Sequence, residues 1–156
     1  MKLYHGSNVE IDSIDLSKGK KGKDFGFGFY LSENYMQAVR MSEIVTQREA
    51  CGIPTVTAFS FDETSLQYLT VKRFEGYTKE WAEFVLANRQ NRSDIQIHSY
   101  DVVIGPIADD AVGVQIRRLM RGYISFEVFL DNIKYANPTV QYFFGTEPAI
   151  KLLQRI

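Results

Sequence analysis

The run Tyr100–Ile107 is almost unbroken in apolar character, and nothing else in the chain constrains its fold so strongly. Such a run reads as a central strand buried on both faces, which needs packed layers above and below it. The material for those layers is present. Of the 156 residues, 45% are hydrophobic, enough for a core that needs no disulfide or metal staples. The length fits one domain over residues 1–156.

Around this strand the residue periodicity changes repeatedly. Leu3–His5 predicts a first strand and Phe25–Leu31, aromatic with interleaved glycines, a second. A helix is expected from about Asn34 to Ala50, with Tyr35, Ala38 and Val39 at helical spacing and Gly52 and Pro54 closing it. Thr55–Phe61 and Leu66–Val71 read as strands, and Thr78–Arg89 as a helix with Trp81, Phe84 and Val85 on one face. Two short helices follow. Ile116, Leu119, Met120 and Tyr123 mark the first, and Phe126, Phe129, Leu130 and Ile133 the second, with Ser125 as its N-cap. Thr139–Phe144 is a last strand, and Thr146 caps a final helix whose apolar face is Ala149, Leu152, Leu153 and Ile156. Strands come in pairs and helices in clusters, which predicts an α+β fold rather than a doubly wound sheet.

Several function classes are disfavoured. The formal net charge of −1 argues against a surface devoted to nucleic acid. Cys51 has no partner for a disulfide and no nearby histidine to activate it, so it reads as a small buried or half-buried residue. Two histidines and one cysteine show no metal-ligand spacing, so no metal is expected. No apolar run after Lys2 matches the ~7–15 residues of a signal-peptide core, and none approaches the ~18 residues of a membrane span. A cytoplasmic protein without membrane contact is the simplest expectation. One compositional break remains: four lysines and four glycines crowd into Ser17–Gly28, as in a flexible, positively charged loop.

Three segments carry the candidate chemistry. Tyr4-His5-Gly6-Ser7 puts a histidine at a strand end beside a glycine, where backbone can approach a flat ligand. Asp24-Phe25-Gly26-Phe27-Gly28-Phe29-Tyr30-Leu31 spends two glycines inside an aromatic stretch, which suggests a bend or a close backbone approach. Tyr30 offers a ring face and a hydroxyl there, while Phe25, Phe27 and Phe29 read as core. In the third segment, Pro138–Glu147, a polar Gln141 opens an otherwise aromatic strand. Taken singly, each has an ordinary reading as a turn, a core strand or a strand edge.

In order, the three resemble the H-Y-E signature of the ADP-ribosyltransferase clan. Within it the chain is similar to a family of small bacterial proteins of unknown function, the one numbered 3990. The shared pattern is Tyr4–Ser7, Asp24–Leu31, Tyr100–Pro106 and Gln141–Glu147, essentially end to end. The resemblance implies a split antiparallel β-sheet core with flanking helices, NAD as substrate, and transfer of ADP-ribose to a macromolecular acceptor, protein or nucleic acid. It also implies a toxin-like effector restrained by a small antitoxin-like partner. Carried over, His5 would bond a ribose hydroxyl, Gly6 would present its backbone to the nicotinamide carboxamide, and Tyr30 would stack on the nicotinamide. Ser7 and Gly28 would line the same NAD site.

Gln141 would occupy the place of the clan's catalytic glutamate. An amide orients a hydroxyl but brings no full negative charge, which implies single transfer or slow NAD hydrolysis and no polymer growth. A carboxylate must then come from elsewhere, and Asp109, Asp110 and Glu147 are candidates beside their plain readings as turn and helix-start residues. A second departure is Gln37-Ala38-Val39-Arg40, where polymerase-type members carry a Ser-Ala pair and a second stacking tyrosine. Gln37 would replace that serine. The cluster Lys18-Gly19-Lys20-Lys21-Gly22-Lys23 would hold a pyrophosphate, steer a nucleic-acid acceptor, or be merely solvated. A module that binds NAD or ADP-ribose without chemistry stays open because of Gln141.

Overall fold

The structure, a computed structural model, describes residues 1–156. Seven strands make one sheet: β1 (Lys2–Ser7), β2 (Phe29–Ser32), β3 (Thr55–Phe61), β4 (Val71–Arg73), β5 (Val102–Pro106), β6 (Val140–Phe144) and β7 (Leu153–Arg155). Their order across the sheet is β4-β5-β6-β2-β1-β3-β7, and only β4 and β5 run parallel. The helices are α1 (Tyr35–Glu49), α2 (Lys79–Gln90), α3 (Asp110–Met120), α4 (Phe126–Ile133) and α5 (Glu147–Ile150). This is the mixed α+β arrangement expected.

The apolar run explains the layering. β5 is buried at every position and lies between β4 and β6. Its side chains alternate between faces. Val102 and Ile104 join Leu3, Phe59 and Phe144 in one core, while Val103 joins Trp81, Val85, Ile116, Phe129 and Phe143 in the other. Helices α2, α3 and α4 cover the second face; α5, Leu66 and the chain around Ile11–Leu16 cover the first. A fully buried side chain of this size stabilises the fold by about 1.5–3 kcal/mol. The two cores therefore outweigh the mostly exposed ion pairs, at up to about 1 kcal/mol each.

Local capping sets several boundaries. Asn34, Thr78, Asp109, Ser125 and Thr146 each accept a backbone N–H of the first turn that they precede. Helix α1 ends at Ala50, whose φ of 53° is left-handed, followed by Gly52 at φ 80°.

Four expectations change. The strand expected over Phe25–Leu31 begins only at Phe29: Gly26 turns the chain with φ 96°, and Tyr30 closes the loop by bonding residues 25 and 26. The strand expected over Leu66–Val71 is a 3-10 turn, Glu63–Tyr68, before β4; Asp62 accepts from Thr64 N–H and pulls the chain into a tight turn. The final helix stops at Ile150, and Leu153 pairs with Phe61 instead, because the free edge of β3 accepts β7. Four residues expected inside are outside: Cys51 lies exposed just past the α1 cap, Tyr123 is 70% exposed beyond α3, Tyr35 is 53% exposed, edge-on to Tyr4, and Ile156 is exposed after β7.

The middle of the sheet is its thinnest join. β1 pairs with β3 from Lys2↔Ser60 to Ser7↔Thr55, but with β2 only at Tyr4↔Ser32. Beyond that pair the strands part into a fork. No helix is long and apolar enough to cross a membrane.

Candidate functional site

A cavity of about 760 Å3 straddles the fork, within the ~300–1,000 Å3 typical of small-molecule sites. Every residue singled out from the sequence as an NAD contact lines it: His5, Gly6 and Ser7 from β1, Gly28 just before β2, Tyr30 from β2, Gln37 from α1 and Gln141 from β6. Register explains part of this. Gln141 is level with Ser32, and Phe143 with Tyr30, so alternation puts Tyr30, Ser32 and Gln141 on one face of the sheet.

His5 spans the fork where the ladder gives out. Its Nδ1 lies 2.7 Å from the Tyr30 carbonyl oxygen, so Nδ1 carries the proton and donates, leaving Nε2 as an acceptor. Burial lowers the His5 pKa from its ordinary 6.5, the Tyr30 bond only opposing this, so the neutral ring is favoured. Its ring stacks on Phe29.

Tyr30 gives its hydroxyl to the fold. The Oη donates to the Gly26 carbonyl at 2.6 Å and accepts from Phe25 N–H at 3.0 Å, so only the ring face is left for a ligand. Burial first, and then Asp24, pushes its pKa well above 10.0. The glycines too have internal causes. A Cβ on Gly6 would meet the Ala38 carbonyl of α1 at 2.0 Å, and one on Gly28 would meet the Phe143 ring at 2.3 Å.

Gln141 is 9% exposed and donates long hydrogen bonds from Nε2 to Asp24 Oδ2, at 3.4 Å, and to the Pro106 carbonyl, at 3.5 Å. Asp24 in turn accepts from Arg89 Nε at 2.7 Å through its other oxygen, and both line the cavity. Asp24 is thus the carboxylate beside Gln141. The three acids expected to serve there stand elsewhere: Asp109 caps α3, Asp110 pairs with Arg40, and Glu147 is exposed in the first turn of α5. A signal for the missed pair existed. Trp81, Val85 and Arg89 recur every four residues, which sets an arginine on the buried face of α2.

The sequence matches the family described as "Protein of unknown function (DUF3990)" over residues 1–155. The chain belongs to this family. No curated protein matches it.

In this DUF3990 chain the cations around the cavity differ in how far they are committed. Lys20 pairs with Glu49 at 2.6 Å and Lys21 with Asp94 at 2.5 Å, whereas Lys18 and Lys23 have no acidic partner within 4.0 Å. Burial lowers the Lys23 pKa, and repulsion from Arg48, another lining residue, adds to this. Lys23 is thus held against the cavity wall without a paired acid, beside Arg48, whose Nε donates to Glu49 at 3.2 Å; the unpaired ammonium suits an anionic ligand. Around the DUF3990 cavity there are therefore a hydroxyl acceptor at His5 Nε2, a flat ring at Tyr30, an amide at Gln141 and positive charge at Lys23 and Arg48.

Proposed function

We propose that the protein is an NAD-dependent mono-ADP-ribosyltransferase with an ADP-ribosyltransferase-like core and a His5–Tyr30–Gln141 site. One observation carries the reading: the residues implied by the family resemblance, spread from His5 to Gln141, line a single cavity at a fork in the sheet. His5 Nε2 accepts a ribose hydroxyl, Gly6 offers backbone to the carboxamide with Gln37 beside it, and Tyr30 supplies the stacking face. Ser7 and Gly28 complete the wall, and Lys23 with Arg48 faces the pyrophosphate. When the bond from ribose C1′ to nicotinamide breaks, its electron pair leaves with nicotinamide and the sugar becomes oxocarbenium-like. A site that holds the ring still and offers an oxygen dipole lowers that barrier. The acceptor nucleophile then adds at C1′ and loses its proton.

The amide at position 141 favours single transfer or slow hydrolysis over polymer growth, since it cannot act as a general base. The same residue sustains a second reading, a module that binds NAD or ADP-ribose without chemistry. A nucleic-acid acceptor draws less support from the lysine loop, since Lys20 and Lys21 are engaged by acids of the same chain. The acceptor, and a small antitoxin-like partner, would be sought by capture with the full chain.

The test is free nicotinamide released from NAD, measured beside a His5→Ala, Tyr30→Ala double variant. Release by the intact protein and none by the variant is the expected result. Binding of NAD without release, even with cell extract as acceptor, hands the case to the binding module.

A further inference from the structure

The side chain of Gln141 is gripped from one end only. Its Nε2 faces Asp24 Oδ2 and the Pro106 carbonyl, while its Oε1 has no partner in the protein and is not sealed from the cavity. Both neighbours accept, and neither donates: one is a carbonyl, the other a carboxylate whose second oxygen is taken by Arg89. A flipped amide would set its oxygen against two oxygens, so the nitrogen must face inward and the oxygen outward. Helix α2 holds both neighbours. Trp81 Nε1 donates to the same Pro106 oxygen at 3.1 Å, and Arg89, about two turns further along, holds Asp24.

We propose that Asp24 and Arg89 are positioning residues that lock the Gln141 amide with Oε1 aimed into the cavity. There it accepts a sugar hydroxyl and turns the negative end of its dipole toward the carbon that nicotinamide leaves. The orientation stands on the geometry alone; its use in cleavage rests on the ADP-ribosyl-transfer reading. An aspartate is required because each of its oxygens serves one donor. Asparagine has a single acceptor oxygen and must turn an N–H toward either Arg89 or Gln141.

Nicotinamide release from NAD and the side-chain amide NMR signals of Gln141, assigned through their loss in Gln141→Glu, test this on the full chain. Asp24→Asn is expected to lower kcat about ten-fold while KM changes less than about three-fold. It is also expected to move the Gln141 amide signals and speed their exchange with water. The double variant Asp24→Asn, Gln141→Glu restores a bond of reversed polarity, Asn N–H to Glu carboxylate, and should recover most of kcat. A merely structural Asp24 would show no recovery beyond the gain that Gln141→Glu brings on its own in the parent, and that result overturns the proposal. Unmoved Gln141 signals in Asp24→Asn overturn it whatever the activity. Moved signals in a protein that never releases nicotinamide uphold the lock and reject the transfer reading. Should Asp24→Asn fail to fold, Arg89→Lys takes its place, with moved signals and a smaller fall in kcat expected; if neither is seen, the lock is overturned.

Discussion

The imidazole of His5 lies face to face with the ring of Phe29, their centroids 4.1 Å apart and their planes inclined by 23°. With Nδ1 tied to the Tyr30 carbonyl, this stack leaves the ring no freedom to swing. Phe29→Leu keeps apolar bulk but removes the platform. The loss of about 0.5–1.5 kcal/mol corresponds to up to about ten-fold weaker NAD binding. Calorimetric titration checks this, and unchanged affinity would show that the stack contributes nothing to the site.

Acid should loosen both the fold and the site. The pKa of His5 lies below 6.5 through burial, and that of His98 is lowered for the same reason. Between those folded-state values and about 6.5, the unfolded chain binds more protons than the folded one, so stability rises with pH there. Urea midpoints should be level above about pH 7.5 and fall as pH drops below about 6.5. Protonated His5 also has no lone pair on Nε2, so NAD binding should weaken only at lower pH, as the folded protein passes through its own lowered His5 pKa. A midpoint level from about pH 7 to 5 would contradict the burial of both rings.

Gly6→Ala should be among the most disruptive small changes in the protein. The added carbon meets backbone atoms, Ala38 O at 2.0 Å and Ser42 N at 2.8 Å, so α1 itself must move off β1. A cost of about 3 kcal/mol or more is expected in denaturant titrations. Gly76→Ala meets nothing within 4 Å and serves as the control, with an effect inside about 0.5 kcal/mol. Equal effects at the two positions would refute the packing argument.

Lys23 and Lys21 should separate in a binding assay. Lys23→Met removes a half-buried cation from the cavity wall, whereas Lys21→Met breaks only an exposed pair with Asp94. The first is expected to weaken NAD binding and flatten its salt dependence; the second leaves both near the parent. A reversed order would place the anion-binding surface on the outer loop.

How much was legible from the residues depends on range. Thr55–Phe61 reads off residue for residue, since its β-branched and aromatic residues favour a strand and Pro54 bounds it. Glu63–Tyr68 does not, because Asp62, Thr64 and Ser65 bond one another locally and outcompete the strand tendency of Leu66–Val71. The ends of β2 and α5 are lost for a related reason: a tyrosine hydroxyl closes one turn, and a vacant sheet edge captures the other segment. Residues that meet in the cavity were found by the order of their motifs. The spacing of Trp81, Val85 and Arg89 sets the arginine on the buried face of α2, but that its partner is Asp24, 65 positions away on another element, is written in no local pattern.

The tight seating of α1 on Gly6, and of Phe143 on Gly28, also says how relatives of this chain should be read. Those two glycines answer to the fold before they answer to any ligand. On the transfer reading, a descendant that had abandoned the chemistry would keep both and still look competent by that part of its motif. Reactive and retired members should diverge instead at positions the architecture can spare, such as Gln37 and Lys23, where drift is free once no substrate is being held.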